Sequence, residues 1–130
     1  MRPLLHNRAR SRVASFGHAL RGIGVLLAGQ ANARLHLLAA LLVVALGSWL
    51  RISALEWALL SVVIGLVLCA EALNTGIELV VDLVSPEWHR LARDAKDMAA
   101  AGVLLASLGA LATGGWIFLP RLLVRFMPAG

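Results

Sequence analysis

Charged residues cut the chain into three apolar windows. Positions 35–50 lie between Arg34 and Arg51, positions 57–70 lie between Glu56 and Glu71, and 98–121 carries no charge before its final Arg121. A straight helix needs about 20 residues to cross the hydrocarbon of a bilayer, so the first two windows must extend into their flanks. The middle one can do so only by taking Glu71, Asn74 and Glu78 with it. The pattern predicts membrane helices over 35–50, 55–84 and 97–119. Ser53 and Glu56 have capping-box spacing at the start of the second, which makes 51–54 a tight hairpin. Ser85-Pro86-Glu87 reads as another helix start, with Ser as N-cap and Pro at the first helical position, so the 82–97 connection is short, polar and partly helical. Pro120 marks the end of the third helix. Within 1–34, Phe16, Leu20, Ile23 and Leu27 recur at helical spacing near Arg12, His18 and Arg21, which predicts an amphipathic surface helix. Gly17, Gly22, Gly24 and Gly29 weaken that helix.

Composition turns these windows into a class. At 130 residues, 60% hydrophobic and 15% charged, the chain is one domain (1–130) of an all-α polytopic membrane protein. Its basic balance, with a pI of about 11.4, would suit nucleic acid, but the apolar bulk argues against that. Six arginines (Arg2, Arg8, Arg10, Arg12, Arg21, Arg34) precede the first acidic residue, Glu56. With three spans, those six share a side with Arg90, Arg93 and Lys96, against Arg51, Arg121 and Arg125 opposite. Nine against three places the N-terminus in the cytoplasm. A cleaved signal peptide fits poorly, because the apolar piece after the basic start is short, Gly-rich and interrupted by Arg21. Cys69, alone in an apolar run, reads as packing.

The second window ends in EALNTGIELVVD, 71–82. At about 100° per residue, Asn74 and Glu78 lie roughly 60° and 20° to one side of Glu71, and Asp82 about 20° to the other. All four share one face. Carboxylates in a membrane helix are costly and face a protein interior or a wet cavity. Such a stripe can hold Mg²⁺, which takes a few carboxylates and completes its shell with water and phosphate oxygens. No Gly-rich phosphate loop is present, so cationic side chains must hold the phosphates. Lys96, the only lysine, beside Asp97, suits that role. The plainer reading makes Lys96 a snorkelling interfacial residue and Asp97 the N-cap of the third span.

The stretch EALNTGIELVVDLVSPEWHRLARDAKDMAAAGVLL (71–105), with FGHALRGIGVLL, NARLH and LEWALL upstream, resembles the small prokaryotic diacylglycerol kinase family, which includes undecaprenol kinases. The resemblance implies a homotrimer of three-span subunits that moves the ATP γ-phosphate onto a membrane lipid hydroxyl. By matching position, Glu71 is the general base, Asn74 orients the hydroxyl, and Glu78 binds Mg²⁺. Asp82, Glu87, His89, Lys96 and Asp97 surround the nucleotide. Arg34 and Trp49 match positions near the lipid, although Trp49 also suits an interfacial anchor.

One position departs from the family. A second metal-binding Glu is expected four residues before Arg34, and Gln30 stands there, with one neutral carbonyl oxygen to offer. Weaker Mg²⁺ binding, a ligand set shifted to Asp82 or Asp97, and lost activity all stay open. So does the substrate: Asn32-x-Arg34-x-His36 and LVSPEW lean toward undecaprenol kinases, while Lys96-Asp97-Met98 is shared with diacylglycerol kinases. A rival from another class is a non-enzymatic helical oligomer whose stripe lines an ion path. It would need polar residues on every span, and the outer spans offer only Ser48, His36, Ser107 and Thr113.

Overall fold

The computed structural model describes residues 4–126, and side-chain surroundings from residue 14 onward. Four helices follow one another: α1 (Leu4–Gly29), α2 (Ala31–Leu50), α3 (Ala54–Val84) and α4 (Arg90–Phe126). The last three are long and apolar enough to cross a membrane, and most of their large hydrophobic side chains, such as Leu41, Leu66, Leu105 and Leu111, point outward. That inversion of a soluble core is expected where lipid is the solvent.

The glycines of α1 do not interrupt it. The helix breaks at Gln30, whose backbone is extended (φ −111°, ψ 117°), so α2 starts four residues before the expected position 35. Phe16, Leu20 and Ile23 are exposed, and among the described side chains of α1 burial is confined to its end, at Leu26. Arg2 lies outside the described residues, as do the side chains of Arg8, Arg10 and Arg12.

The α2–α3 hairpin closes where local chemistry predicts it. Arg51 takes a left-handed conformation (φ 50°) as C-cap of α2. Ser53 then caps α3: its hydroxyl accepts from the Glu56 N–H, and its own N–H donates to the Glu56 carboxylate at 2.8 Å. Trp57 packs across the hairpin onto buried Gly47, close enough that a methyl there would lie 2.9 Å from the indole ring.

The most extensive packing joins α3 to α4. Inward positions of α4 are small over most of its length, including Ala92, Ala99, Ala106, Ala110 and Gly114, which lets the two backbones approach closely without a hydrophobic driving force. At one end Ile52, Leu60, Ile117 and Phe118 form a buried cluster. There Arg121 grips Glu56 with both guanidinium nitrogens, at 2.8 and 2.9 Å.

Three expectations need correction. Ser85 does not start a helix: its N–H completes α3 by donating to the Val81 carbonyl, and its hydroxyl donates to the Glu87 carbonyl. His89 does the capping instead, its Nδ1 accepting from the Leu91 N–H. The 85–89 link is therefore irregular, and Asp97 lies well inside α4 rather than at its cap. Pro120 does not end α4, which runs on to Phe126. Pro120 removes one helical donor, the one that would meet the Trp116 carbonyl, and a membrane helix tolerates that loss; Arg121 also donates to the neighbouring Ile117 carbonyl at 2.8 Å. Cys69 is exposed rather than packed, because it sits about 160° around α3 from the buried Glu71.

Candidate functional site

The inward face of α3 changes character along its length. Leu60 and Val67 are buried on it, and the next residues of the same stripe are Glu71, Asn74 and Thr75, also buried. Glu71 is only 2% exposed. The Glu71 carboxylate thus faces protein, as its cost in lipid requires, while Asp82 at the end of the stripe is exposed.

Three clusters succeed one another along this stripe. The first pairs Glu71 with His36 of α2, whose Nε2 lies 3.9 Å from Oε2. That distance exceeds hydrogen-bond range, so the two groups are neighbours without a direct bond. The second is built on Glu78. Asn74, one turn earlier, donates Nδ2 to Oε1 at 3.1 Å, and Gln30, at the α1–α2 corner, donates Nε2 to Oε2 at 3.4 Å. The third lies at the α3–α4 link, where Lys96 donates to Asp82.

Asp82, Glu87, His89, Lys96 and Asp97, the five residues expected around a nucleotide, all line one cavity of about 310 Å³, together with Arg93 and Trp88. Asp97 also pairs with Arg93 at 3.5 Å. The fold therefore brings the third cluster together from both sides of the irregular link.

Depth follows from helix rise. At about 1.5 Å per residue, Glu71 lies about 26 Å along α3 from Ala54, Glu78 about 36 Å and Asp82 about 42 Å. Hydrocarbon is about 30 Å thick. A helix entering at Ala54 therefore carries Glu71 to just inside the far edge, Glu78 among the headgroups, and Asp82 with Lys96 into water.

The oxygen donors of the middle cluster suit a hard cation. Besides the Glu78 carboxylate there are the side-chain carbonyls of Gln30 and Asn74, and Asn74 Oδ1 is buried without a hydrogen-bond partner. Among the described residues no group of three His, Cys, Asp or Glu side chains is placed to hold a metal. An ion at this place needs phosphate or water to complete its shell, as Mg²⁺ commonly does.

Not every expected residue joins the site. Arg34 is exposed in the first turn of α2, one turn from Gln30. Trp49 is at the other end of α2, about 20 Å from His36 along the helix, where Arg125 lies over its ring at 4.9 Å and Phe126 stands beside it. Within the chain it belongs to the far end, as an interfacial anchor would. His36 was the residue sequence reasoning passed over as a site member. Its signal was visible: it is the only titratable side chain within α2 beyond Arg34.

The chain is similar over most of its length to known proteins. The family model described as prokaryotic diacylglycerol kinase matches residues 17–118. A diacylglycerol kinase of Synechocystis sp. is 40% identical over 116 residues, 88% of this chain and 66% of that protein, so the chain spans just under two thirds of it. An undecaprenol kinase of Bacillus subtilis is 39% identical over 108 residues, 83% of this chain and 88% of that protein. A diacylglycerol kinase of Escherichia coli is 36% identical over 101 residues, 78% and 83% respectively. The match takes in α2, α3, most of α4 and all three polar clusters, and the chain belongs to the prokaryotic diacylglycerol kinase family.

Proposed function

We propose that the chain is a lipid kinase that transfers the γ-phosphoryl group of ATP to the hydroxyl of a membrane lipid, diacylglycerol in the first reading, giving phosphatidic acid. The carrying observation is the order of clusters on α3, buried Glu71, then Glu78 with its two amides, then the charged cavity, an order that runs from hydrocarbon through headgroups to water if the helix enters the membrane at Ala54. A lipid hydroxyl and a water-borne nucleotide meet only at such a boundary.

The lipid hydroxyl oxygen attacks the γ-phosphorus, its proton passes to Glu71, and the bond to the β–γ bridging oxygen breaks with its electron pair leaving on ADP. Glu71 is the general base. His36, 3.9 Å away, helps fix the hydroxyl beside it. Asn74 orients the hydroxyl and, through one of its two Nδ2 hydrogens, also holds Glu78. Mg²⁺, held by Glu78 with Gln30 and Asn74 as neutral donors, would neutralise phosphate charge. Lys96 grips phosphate, with Asp82, Glu87, His89 and Asp97 around the remaining nucleotide. Arg34 meets the lipid headgroup, while Trp49 serves the membrane anchor. The nine-to-three charge count supports a cytoplasmic placement of this end, in this reading at the inner membrane, with α1 along its surface and Phe16, Leu20 and Ile23 in lipid. Much exposed apolar surface remains for neighbours, in keeping with a homotrimer.

The match to the Bacillus subtilis undecaprenol kinase, over 88% of that protein, supports undecaprenol as the second reading. Purified protein in mixed micelles, given labelled ATP with either diacylglycerol or undecaprenol, decides between them. Phosphorylation of neither lipid would refute the kinase reading and favour the ion-path oligomer.

A further inference from the structure

The Glu78 carboxylate is held by two neutral amides from different elements, Gln30 at the α1–α2 corner and Asn74 on α3. Both amides turn N–H toward it, and the buried Asn74 Oδ1 is left without a partner. In this arrangement the two amides compensate the Glu78 carboxylate with N–H groups alone. Had position 30 carried a carboxylate, two negative groups would face each other at this separation, and like charges held so close favour a counter-ion or a proton. Gln30 removes that drive.

We infer that this site takes up its divalent cation only together with the nucleotide, and that Gln30 is the positioning residue responsible. The protein alone supplies one carboxylate; the further negative oxygens arrive with the phosphates. Until then Gln30 steadies Glu78 through Nε2. When the cation enters, its amide turns about the terminal torsion, which is broad and roughly two-fold, and offers Oε1 instead. Asn74 has the same choice. The inference rests on Glu78 being the metal ligand, and its test separates the two ideas.

The full chain in detergent micelles is titrated with Mn²⁺, and free ion is followed by electron paramagnetic resonance. Mn²⁺ alone is expected to leave wild type unoccupied over the range in which a non-hydrolysable ATP analogue brings an ion to the site. Gln30→Glu is expected to bind Mn²⁺ without nucleotide, at least about tenfold more tightly than wild type, since ligand charge sets affinity at such sites. Gln30→Ala, which adds no charge but removes Oε1, is expected to need nucleotide as wild type does and to hold the ion with the analogue several-fold more weakly; affinity equal to wild type would overturn the role of Gln30, which keeps the test open should Gln30→Glu not fold. Nucleotide-free binding in wild type that Glu78→Gln abolishes would overturn the inference, as would equal nucleotide-free affinities in wild type and Gln30→Glu. If Glu78→Gln leaves binding with the analogue unchanged, the assignment of Glu78 as ligand fails first.

Discussion

Replacing Glu71 by Gln should move activity and stability in opposite directions. The side chain is 2% exposed, so no bulk water can substitute for the lost base. General-base catalysis contributes about 10²–10⁴ in rate, or roughly 2.7–5.4 kcal/mol at 1.36 kcal/mol per decade. Gln nearly preserves the shape, so packing against α2 and α4 is kept. A carboxylate at membrane depth costs more to bury than an amide, about 2.5–3.5 kcal/mol for an acidic residue at a helix centre. Near the hydrocarbon edge, and with His36 at 3.9 Å offsetting part of the cost, the variant should gain about 1 kcal/mol. The assay is lipid phosphorylation in mixed micelles at saturating ATP and lipid, with thermal inactivation and oligomer size followed in the same micelles. Turnover within a few-fold of wild type would refute Glu71 as base. A fall in heat tolerance would show that the carboxylate holds the helices together, so that any lost activity would have another cause.

His36→Leu should lower turnover by about tenfold to a hundredfold, the worth of one hydrogen bond to a charged group, with the KM for ATP unchanged; an unaltered rate would remove His36 from the site. Lys96→Met should raise the KM for ATP by roughly tenfold while leaving the KM for lipid alone, measured by varying each substrate in turn. Arg121→Met should lower the midpoint of thermal inactivation without changing kcat/KM below it, because its contacts with Glu56 and the Ile117 carbonyl lie far from the clusters. Gly47→Leu should destabilise by about 1–3 kcal/mol through overpacking against Trp57. Gly65→Ala, where nothing stands within 4 Å, should be neutral or stabilising by up to about 1 kcal/mol; the reverse order would contradict the packing at the hairpin.

What could be read from the residues follows the range of the interactions involved. The Ser53–Glu56 capping box and the turn at Arg51 are local, and both form as their spacing predicts. The face shared by Glu71, Asn74, Glu78 and Asp82 is equally local, since helix periodicity alone sets it. Ser85-Pro86-Glu87 is local too but misleads, because two helix ends compete for the same residues: Ser85 closes α3, and His89 opens α4. At Pro120 a general rule fails: the proline costs α4 a single donor, to the Trp116 carbonyl, and the helix runs on to Phe126. Gln30 meets Glu78 across 48 positions, and His36 meets Glu71 across the α2–α3 hairpin. No local pattern signals such meetings; for Gln30 only the family resemblance pointed to the place.

The clamp of Ser53, Glu56 and Arg121 has a consequence at the opposite membrane face. It pins the start of α3, so the base sits a fixed length of helix away, about 26 Å by helical rise. The bilayer around it has no fixed thickness, and hydrophobic mismatch of a few ångströms is absorbed by tilt or by local thinning. Short-chained lipids would lift Glu71 into the headgroup layer, where water competes with the acceptor hydroxyl. Long-chained lipids would sink it below the level that ATP can reach. The rate should therefore pass through a maximum as acyl-chain length is varied, making the protein a gauge of the membrane that supplies its substrate.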